Sequence, residues 1–179
     1  NRIGAEGEGF TIAMTGLDGG RIGIASQALG IAEAALEASI AYAKEREAFG
    51  QKIGQFQMIQ QKLADMKCRV DASRLLIYQA ALARDKAIKD GGGRTSLETS
   101  MAKLFASETA MYVTTQAIQI HGATGVSQWT PLARMYTSQR TLRLADGPDE
   151  VHHMVVGRNE VRKYEGQPYT AIDDKLVNK

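Results

Sequence analysis

An all-α fold is predicted by three features of this sequence. Apolar residues recur at three-and-four spacing over long stretches, no stretch alternates polar and apolar residues as a strand does, and glycine or proline punctuates the periodic runs. The expected architecture is a four-helix up-and-down bundle with a short extra helix and a C-terminal helix. It spans residues 1–165 as one domain, followed by a loose tail over 166–179 that shows no period. Composition agrees: of 179 residues 44% are hydrophobic but only 6% aromatic, so the core is built from small side chains on closely packed helices.

From Phe10 to about Tyr42, one stripe runs through Ile22, Ala25, Leu29, Ala32, Leu36 and Ile40. A second runs through Ile24, Ala28, Ile31 and Ala35, so this helix is expected to have two neighbours. Gly16, Gly19, Gly20, Gly23 and Gly30 lie in the same helix, each costing up to roughly 1 kcal/mol relative to alanine. So many glycines predict close approach, either by another helix or by a ligand. Gly50 and Gly54 then isolate a short loop, and a helix restarts near Phe56. Its inward positions are Ile59, Leu63, Met66, Val70, Ser73, Ile77 and Ala80, continuing to about Lys89.

Gly91 to Gly93 end that helix, and the Thr95-Ser-Leu-Glu98 sequence has capping-box form for the next. The third helix carries Leu97, Met101, Leu104, Glu108, Met111, Thr115 and Ile118 on its expected inward face, with Glu108 and Thr115 read as an internal hydrogen bond. Gly122 and Gly125 close it, and a loop leads to Thr130-Pro131, an N-cap plus proline start for a short helix through Gln139. Val151, Val155 and Val161 predict a last helix to about Tyr164.

Charge and composition exclude several function classes. A net charge of +2, with acids and bases interleaved, gives no basic patch for nucleic acid or an anionic membrane. No apolar run reaches the roughly 18 residues that a membrane span needs. The single Cys68 precludes an internal disulfide framework and reads as a small core or interface residue. Glu150-Val-His-His153 contains one Glu-x-x-His, but a di-iron bundle needs two such motifs with further glutamates, so no metal is expected. His152 and His153 read as exposed or capping residues. The opening residues, rich in glycine and lacking methionine, read as a connector from an upstream segment.

The chemistry-bearing stretch is Arg140 to His153. Asp146-Gly147-Pro148 ends one apolar run and restarts a helix. Asp146 there reads either as a helix N-cap or as a general base, since a carboxylate on a rigid, partly dry wall with backbone donors nearby suits proton abstraction. The spacing permits both. Asp18-Gly19-Gly20-Arg21 places a cation beside small residues, suited to an anionic ligand or to an acid partner.

Leu-Asp-Gly-Gly-Arg-Ile-Gly-Ile-Ala-Ser-Gln-Ala-Leu-Gly-Ile-Ala, Arg-Glu-Ala-Phe-Gly-Gln-Lys-Ile-Gly-Gln-Phe-Gln, Leu-Ala-Asp-Met, Met-Ala-Lys-Leu-Phe-Ala and Gln-Ile-His-Gly together resemble the C-terminal helical domain of the acyl-CoA dehydrogenases, from about Ile3 to Tyr164. The resemblance implies a flavoprotein whose complete chain also has an N-terminal helical and a middle β-domain. It implies FAD contacts at Arg46, Glu47, Ala48, Phe49, Phe56, Gln57, Gln119, Ile120, His121, Gly122, Ala123, Pro148, Asp149 and Glu150. Arg46 would meet the pyrophosphate of a neighbouring subunit's cofactor, and Phe49 would pack on it. Asp18, Gly19, Gly20, Arg21 and Gly147 are implied contacts to the acyl-CoA. Asp146 occupies the place of the glutamate that removes the α-proton while FAD accepts a hydride from the β-carbon.

Three departures surround it: Asp for Glu at 146, Ala145 for a tyrosine and Pro148 for a threonine. The Ala-Asp-Gly-Pro-Asp-Glu-Val-His wording is similar to a branch in which aspartate is itself the base. The resemblance further implies a homo-oligomer, dimer or tetramer, with electron-transfer flavoprotein as electron acceptor. The compartment implied is the cytoplasm in a bacterium or the mitochondrial matrix in a eukaryote. The competing expectation is a non-catalytic helical assembly module derived from the family.

Overall fold

The computed structural model describes residues 2–165, so the tail expected over 166–179 lies outside the described residues. Helix α1 spans Gly9–Glu45, α2 Gln57–Lys89 and α3 Ser96–His121; α4 (Ala123–Val126), α5 (Leu132–Arg140) and α6 (Asp149–Arg162) complete the described chain. Helix α3 is the centre, packing against α1, α2, α4, α5 and α6.

A central helix with neighbours on several sides needs small side chains where those neighbours come closest. The core accordingly runs through Ala25, Ala28, Ala32 and Ala35 of α1, Met66, Val70, Ile77 and Ala80 of α2, and Ala102, Ala106, Ala110, Val113 and Ala117 of α3. This corrects the expected inward face of α3. Leu97, Met101, Leu104, Met111 and Ile118 are only half-buried, and Thr115 is exposed with its hydroxyl bonded to the Met111 carbonyl at 2.7 Å. The large apolar side chains had drawn the stripe to the flank, whereas the alanines make the contact. Glu108 does not meet Thr115; its partners are Arg143 at 3.5 Å and His153 at 3.9 Å.

Helix boundaries match the punctuation closely, but the capping chemistry differs. Thr95 precedes α3 without any side-chain cap, and its Oγ1 is buried without a partner, so the capping box does not form. Pro131, not Thr130, holds the N-cap position of α5; the Thr130 hydroxyl donates to the Thr124 carbonyl. Cys68 is exposed rather than in the core. The short loop after α1 is a minimal hairpin in which β1 (Glu47–Ala48) pairs antiparallel with β2 (Gln51–Lys52), a ribbon too short to show alternation. No helix among the described residues is long and apolar enough to cross a membrane.

Candidate active site and nucleotide groove

Residues 141–148 join α5 to α6 across the N-terminal half of α3. Within this link Asp146 has φ 53° and Gly147 φ 112°, so two successive residues take left-handed conformations. For a non-glycine residue that costs on the order of 1 kcal/mol or more, and it persists only where the surroundings hold it. Two buried cations do so. Arg21 Nε donates to the Asp146 carbonyl at 3.2 Å, and Lys103 Nζ donates to the Gly147 carbonyl at 2.9 Å.

Each cation has its own buried acid. Asp18, fully buried, accepts from Arg21 at 2.8 Å, from Arg94 at 3.1 Å and from the Ser96 hydroxyl at 3.3 Å. Asp149 lies between Lys103, at 3.3 Å, and Arg143 Nε, which contacts its other oxygen. Burial pushes the Lys103 ammonium below its ordinary pKa, against the pull of Asp149. The Asp149 hydrogen bond holds Arg143 above its own.

The Asp146 carboxylate, half-buried, projects onto α1 at Gly20. A Cβ on Gly20 would stand 3.3 Å from the Asp146 Cγ and closer still to Oδ2, so only glycine leaves the carboxylate that place. Beside Gly16, Gly19, Gly23 and Gly30 the described residues leave open space, so within the chain the glycine-rich stretch has one close approach, at Gly20. Asp146 is not a helix cap either, because Pro148 occupies the N-cap position of α6.

His152, expected at the surface, is fully buried one turn into α6. Its Nδ1 pairs with the Ser100 hydroxyl at 3.1 Å, while Nε2 has no hydrogen-bond partner and faces Gly147, where a Cβ would come within 3.2 Å of it. Burial first, then the charges of Lys103 and Arg21, push its pKa down to about 4, so the ring is neutral near pH 7. His153 remains exposed.

A second site forms at the other end of α3. Phe49 and Gly50 are the two turn residues of the hairpin, with φ 52° and 81°. Turns with both central residues at positive φ favour asparagine and glycine, so a phenylalanine there is held under strain. Phe49 is 98% exposed and makes an edge-to-face contact with Phe56, ring centroids 6.3 Å apart. Beside it opens a groove of about 830 Å³ lined by Ala48, Phe49, Phe56, Gln57, Gln119 and Ile120, with Ile53, Met58, Ile59 and Lys62 completing the wall. Arg46, exposed at the C-cap of α1 and two residues before Ala48, is not among the lining residues, and no ion pair engages it among the described residues. An open apolar wall with a bare aromatic ring and amide side chains could hold a flat cofactor ring.

The run Gln119 to Ala123 divides. Gln119 and Ile120 line the groove, but His121 is buried, stacks on Tyr42 with centroids 4.2 Å apart and bonds the Ala117 carbonyl at 2.8 Å. Gly122 and Ala123 are exposed beyond it. Glu47 pairs with Lys52 at 2.7 Å, which lowers its pKa. Pro148 and Glu150 are exposed, whereas Asp149 is 4% exposed. Sixteen residues separate Lys103 from Gln119, roughly 24 Å of helix, so the groove and the Asp146 turn stand far apart in one chain.

Lys103, Arg94, Arg143, Ser100 and His152 were not singled out as site residues from the sequence. One signal was available for Lys103, a lysine among the small residues Ala102, Ala106 and Ser107, where a solvated charge has no place. Among the described residues no cluster of histidine, cysteine or acids could hold a metal.

A family model described as acyl-CoA dehydrogenase, C-terminal domain, matches residues 7–161. The short-chain specific acyl-CoA dehydrogenase of Megasphaera elsdenii is 46% identical over 157 residues, covering 88% of this chain and 40% of that protein. A chain in a structure described as the electron transferring flavoprotein of Acidaminococcus fermentans is 45% identical, with a TM-score of 0.82 over 89% of this chain and 40% of that one. A structure described as PigA with FAD and proline is 29% identical, with a TM-score of 0.83 over 90% of this chain and 41% of that one. The chain thus spans about 40% of the length of the relatives it matches. With the helical fold and the matched residues in agreement, this chain belongs to the acyl-CoA dehydrogenase family, as its C-terminal domain.

Proposed function

We propose that this domain supplies the catalytic base of an FAD-dependent acyl-CoA dehydrogenase that desaturates an acyl-CoA thioester at the α,β bond. The observation that carries this reading is the Asp146 carboxylate, displayed on a positive-φ turn that Arg21 and Lys103 hold, against the bare face of Gly20.

A base must sit on a rigid support within reach of the proton it takes. Aspartate is one methylene shorter than glutamate, and a misplacement of about 1 Å can cost roughly a hundredfold in rate. The left-handed turn and the missing Cβ at Gly20 together set where this shorter side chain stands. The backbone N–H groups of Asp146 and Gly147 have no hydrogen-bond partner among the described residues. They are available to a thioester carbonyl, whose polarisation acidifies the α-C–H. Asp146 then takes the α-proton.

FAD, when bound, supplies a two-electron acceptor for the β-carbon. In this reading Arg46 holds its diphosphate and Phe49, Gln57, Gln119 and Ile120 line its place. The roughly 24 Å of α3 between Lys103, which holds the Asp146 turn, and Gln119 in the groove favours a cofactor shared with a neighbouring copy, hence a homo-oligomer. Exposed Trp129, Phe49 and Val161 are consistent with such surfaces. The description of the Acidaminococcus structure favours electron-transfer flavoprotein as the redox partner. The compartment would be the cytoplasm in a bacterium or the mitochondrial matrix in a eukaryote.

The test is Asp146→Asn in the complete, FAD-loaded protein. It should bind FAD normally and lose bleaching of the flavin by acyl-CoA; bleaching at the normal rate would remove Asp146 from the mechanism.

A further inference from the structure

We propose that Lys103 is a positioning residue for Asp146: by clamping the Gly147 carbonyl from inside the bundle it sets the direction of the carboxylate. The proposal rests on the reading of Asp146 as the base.

A lysine with no exposed surface is unusual, because the ammonium gives up its hydration and needs acceptors in return. Lys103 has two, the Gly147 carbonyl at 2.9 Å and Asp149 at 3.3 Å. Asp149 does not depend on it, since Arg143 already engages that carboxylate's other oxygen. What Lys103 provides is a charged donor to the Gly147 carbonyl at 2.9 Å.

That carbonyl follows directly on the one that Arg21 holds from α1, itself anchored by Asp18. Two consecutive peptide planes are therefore fixed from two sides, by α1 and by α3. The Cα between these planes is that of Gly147, and Asp146 Cα is bonded to the first of them, so the carboxylate leaves the backbone immediately before the doubly held segment. If the Gly147 carbonyl is released, the torsions of Gly147 are freed, the turn is held at the Asp146 carbonyl by Arg21 without the second clamp, and the carboxylate can shift off the face of Gly20. His152, with Nε2 against Gly147 and Nδ1 on Ser100, closes the turn from the side of α6. The charged groups around the carboxylate are Arg21 and Asp18 on α1, Arg94 beside Asp18, Lys103 on α3, Arg143 on the link and Asp149 at the start of α6. Lys103 is the cation among them that reaches the turn from α3.

Lys103→Met removes the donor while keeping a flexible side chain of similar length, and it leaves Asp149 paired with Arg143. The complete FAD-loaded protein should be compared with Lys103→Met, Lys103→Arg and Asp146→Asn. The probe is a 3-thiaacyl-CoA, whose β-position is sulfur and cannot be dehydrogenated, so exchange of its α-protons into D2O reports the base without electron transfer. We expect Lys103→Met to keep FAD content, melting temperature and probe affinity near wild type while exchange falls about a hundredfold. Lys103→Arg, which retains a donor, should recover at least tenfold of that loss. If Lys103→Met yields no FAD-loaded protein, Lys103→Gln, whose shorter amide keeps a polar side chain but falls short of the carbonyl, is held to the same criteria. Normal exchange in the Met variant, with Asp146→Asn silent, would overturn the positioning role alone. Loss of exchange only in step with FAD content and melting temperature would also overturn it, making Lys103 structural. Normal exchange in Asp146→Asn would instead overturn the base reading itself.

Discussion

The Asp146 carboxylate occupies the space in which any residue other than glycine at position 20 would carry its Cβ. The two residues are 126 positions apart and lie on different elements, α1 and the link between α5 and α6. Alanine at 20 would improve helix propensity by up to roughly 1 kcal/mol, and the atom it meets is the tip of a movable side chain. Stability and activity should therefore part. Gly20→Ala is expected to melt at or above the wild-type temperature while flavin bleaching by acyl-CoA slows about a hundredfold. Calorimetry and stopped-flow absorbance on the same preparation check this. A variant as fast as wild type would show that the carboxylate does not work from this position.

Arg46→Ala tests the groove independently of the base. The arginine is exposed and makes no ion pair among the described residues, so its loss should leave stability within about 0.5 kcal/mol. If it holds the cofactor diphosphate, FAD affinity should fall by about tenfold or more, as expected for losing a charged hydrogen bond. Equilibrium dialysis of the complete apoprotein against FAD measures it. Unchanged affinity would remove Arg46 from the cofactor site.

Much of this was legible in the sequence, and the failures have two causes. Periodicity located α1 and α2 to within a few residues because their apolar stripes face the core, whereas α6 was placed by Pro148 and by valines of which Val151 and Val161 are exposed. On α3 the same method favoured Leu97, Met101 and Leu104 over Ala102, Ala106 and Ala110, since hydrophobic strength was read where side-chain size decides the contact. The Asp146 stretch could be picked out from its turn chemistry. Its supports could not, because Arg21, Lys103 and His152 come from three separate helices and only folding brings them to one turn. A histidine pair beside a glutamate looks exposed in a linear reading, yet helical geometry sends His152 inward and leaves His153 outside.

His152 predicts a defined pH dependence. Its folded-state pKa is pushed from the ordinary 6.5 down to about 4, so between these values the unfolded chain binds more protons than the folded one. The stability held by the neutral ring is therefore present in full above about pH 6.5 and is lost as pH falls towards 4. At about 1.4 kcal/mol per pH unit the loss is roughly 3 kcal/mol. Carboxylates in the same network titrate at low pH too, so the informative quantity is the difference between wild type and His152→Gln. That difference should shrink by roughly 3 kcal/mol from pH 7 to pH 4 in urea unfolding. A difference independent of pH would mean that the buried ring does not titrate as its surroundings dictate.

The 179-residue chain by itself should fold yet be catalytically silent. Its core is continuous across α1, α2 and α3 and is made of the chain's own side chains, so folding does not call for the flavin. Catalysis does, and on the proposed reading the two halves of the requirement lie roughly 24 Å apart on α3, each completed by protein that this chain does not contain. The groove beside Phe49 is open on one side and the Asp146 carboxylate is half-exposed, so water competes for every donor that would otherwise act on a thioester. Circular dichroism should report a helical domain that melts cooperatively. Isothermal titration with FAD should give weak binding or none, and acyl-CoA should produce no turnover. Tight FAD binding together with turnover by the isolated chain would sink this account, because it would mean that both sites are complete within these residues.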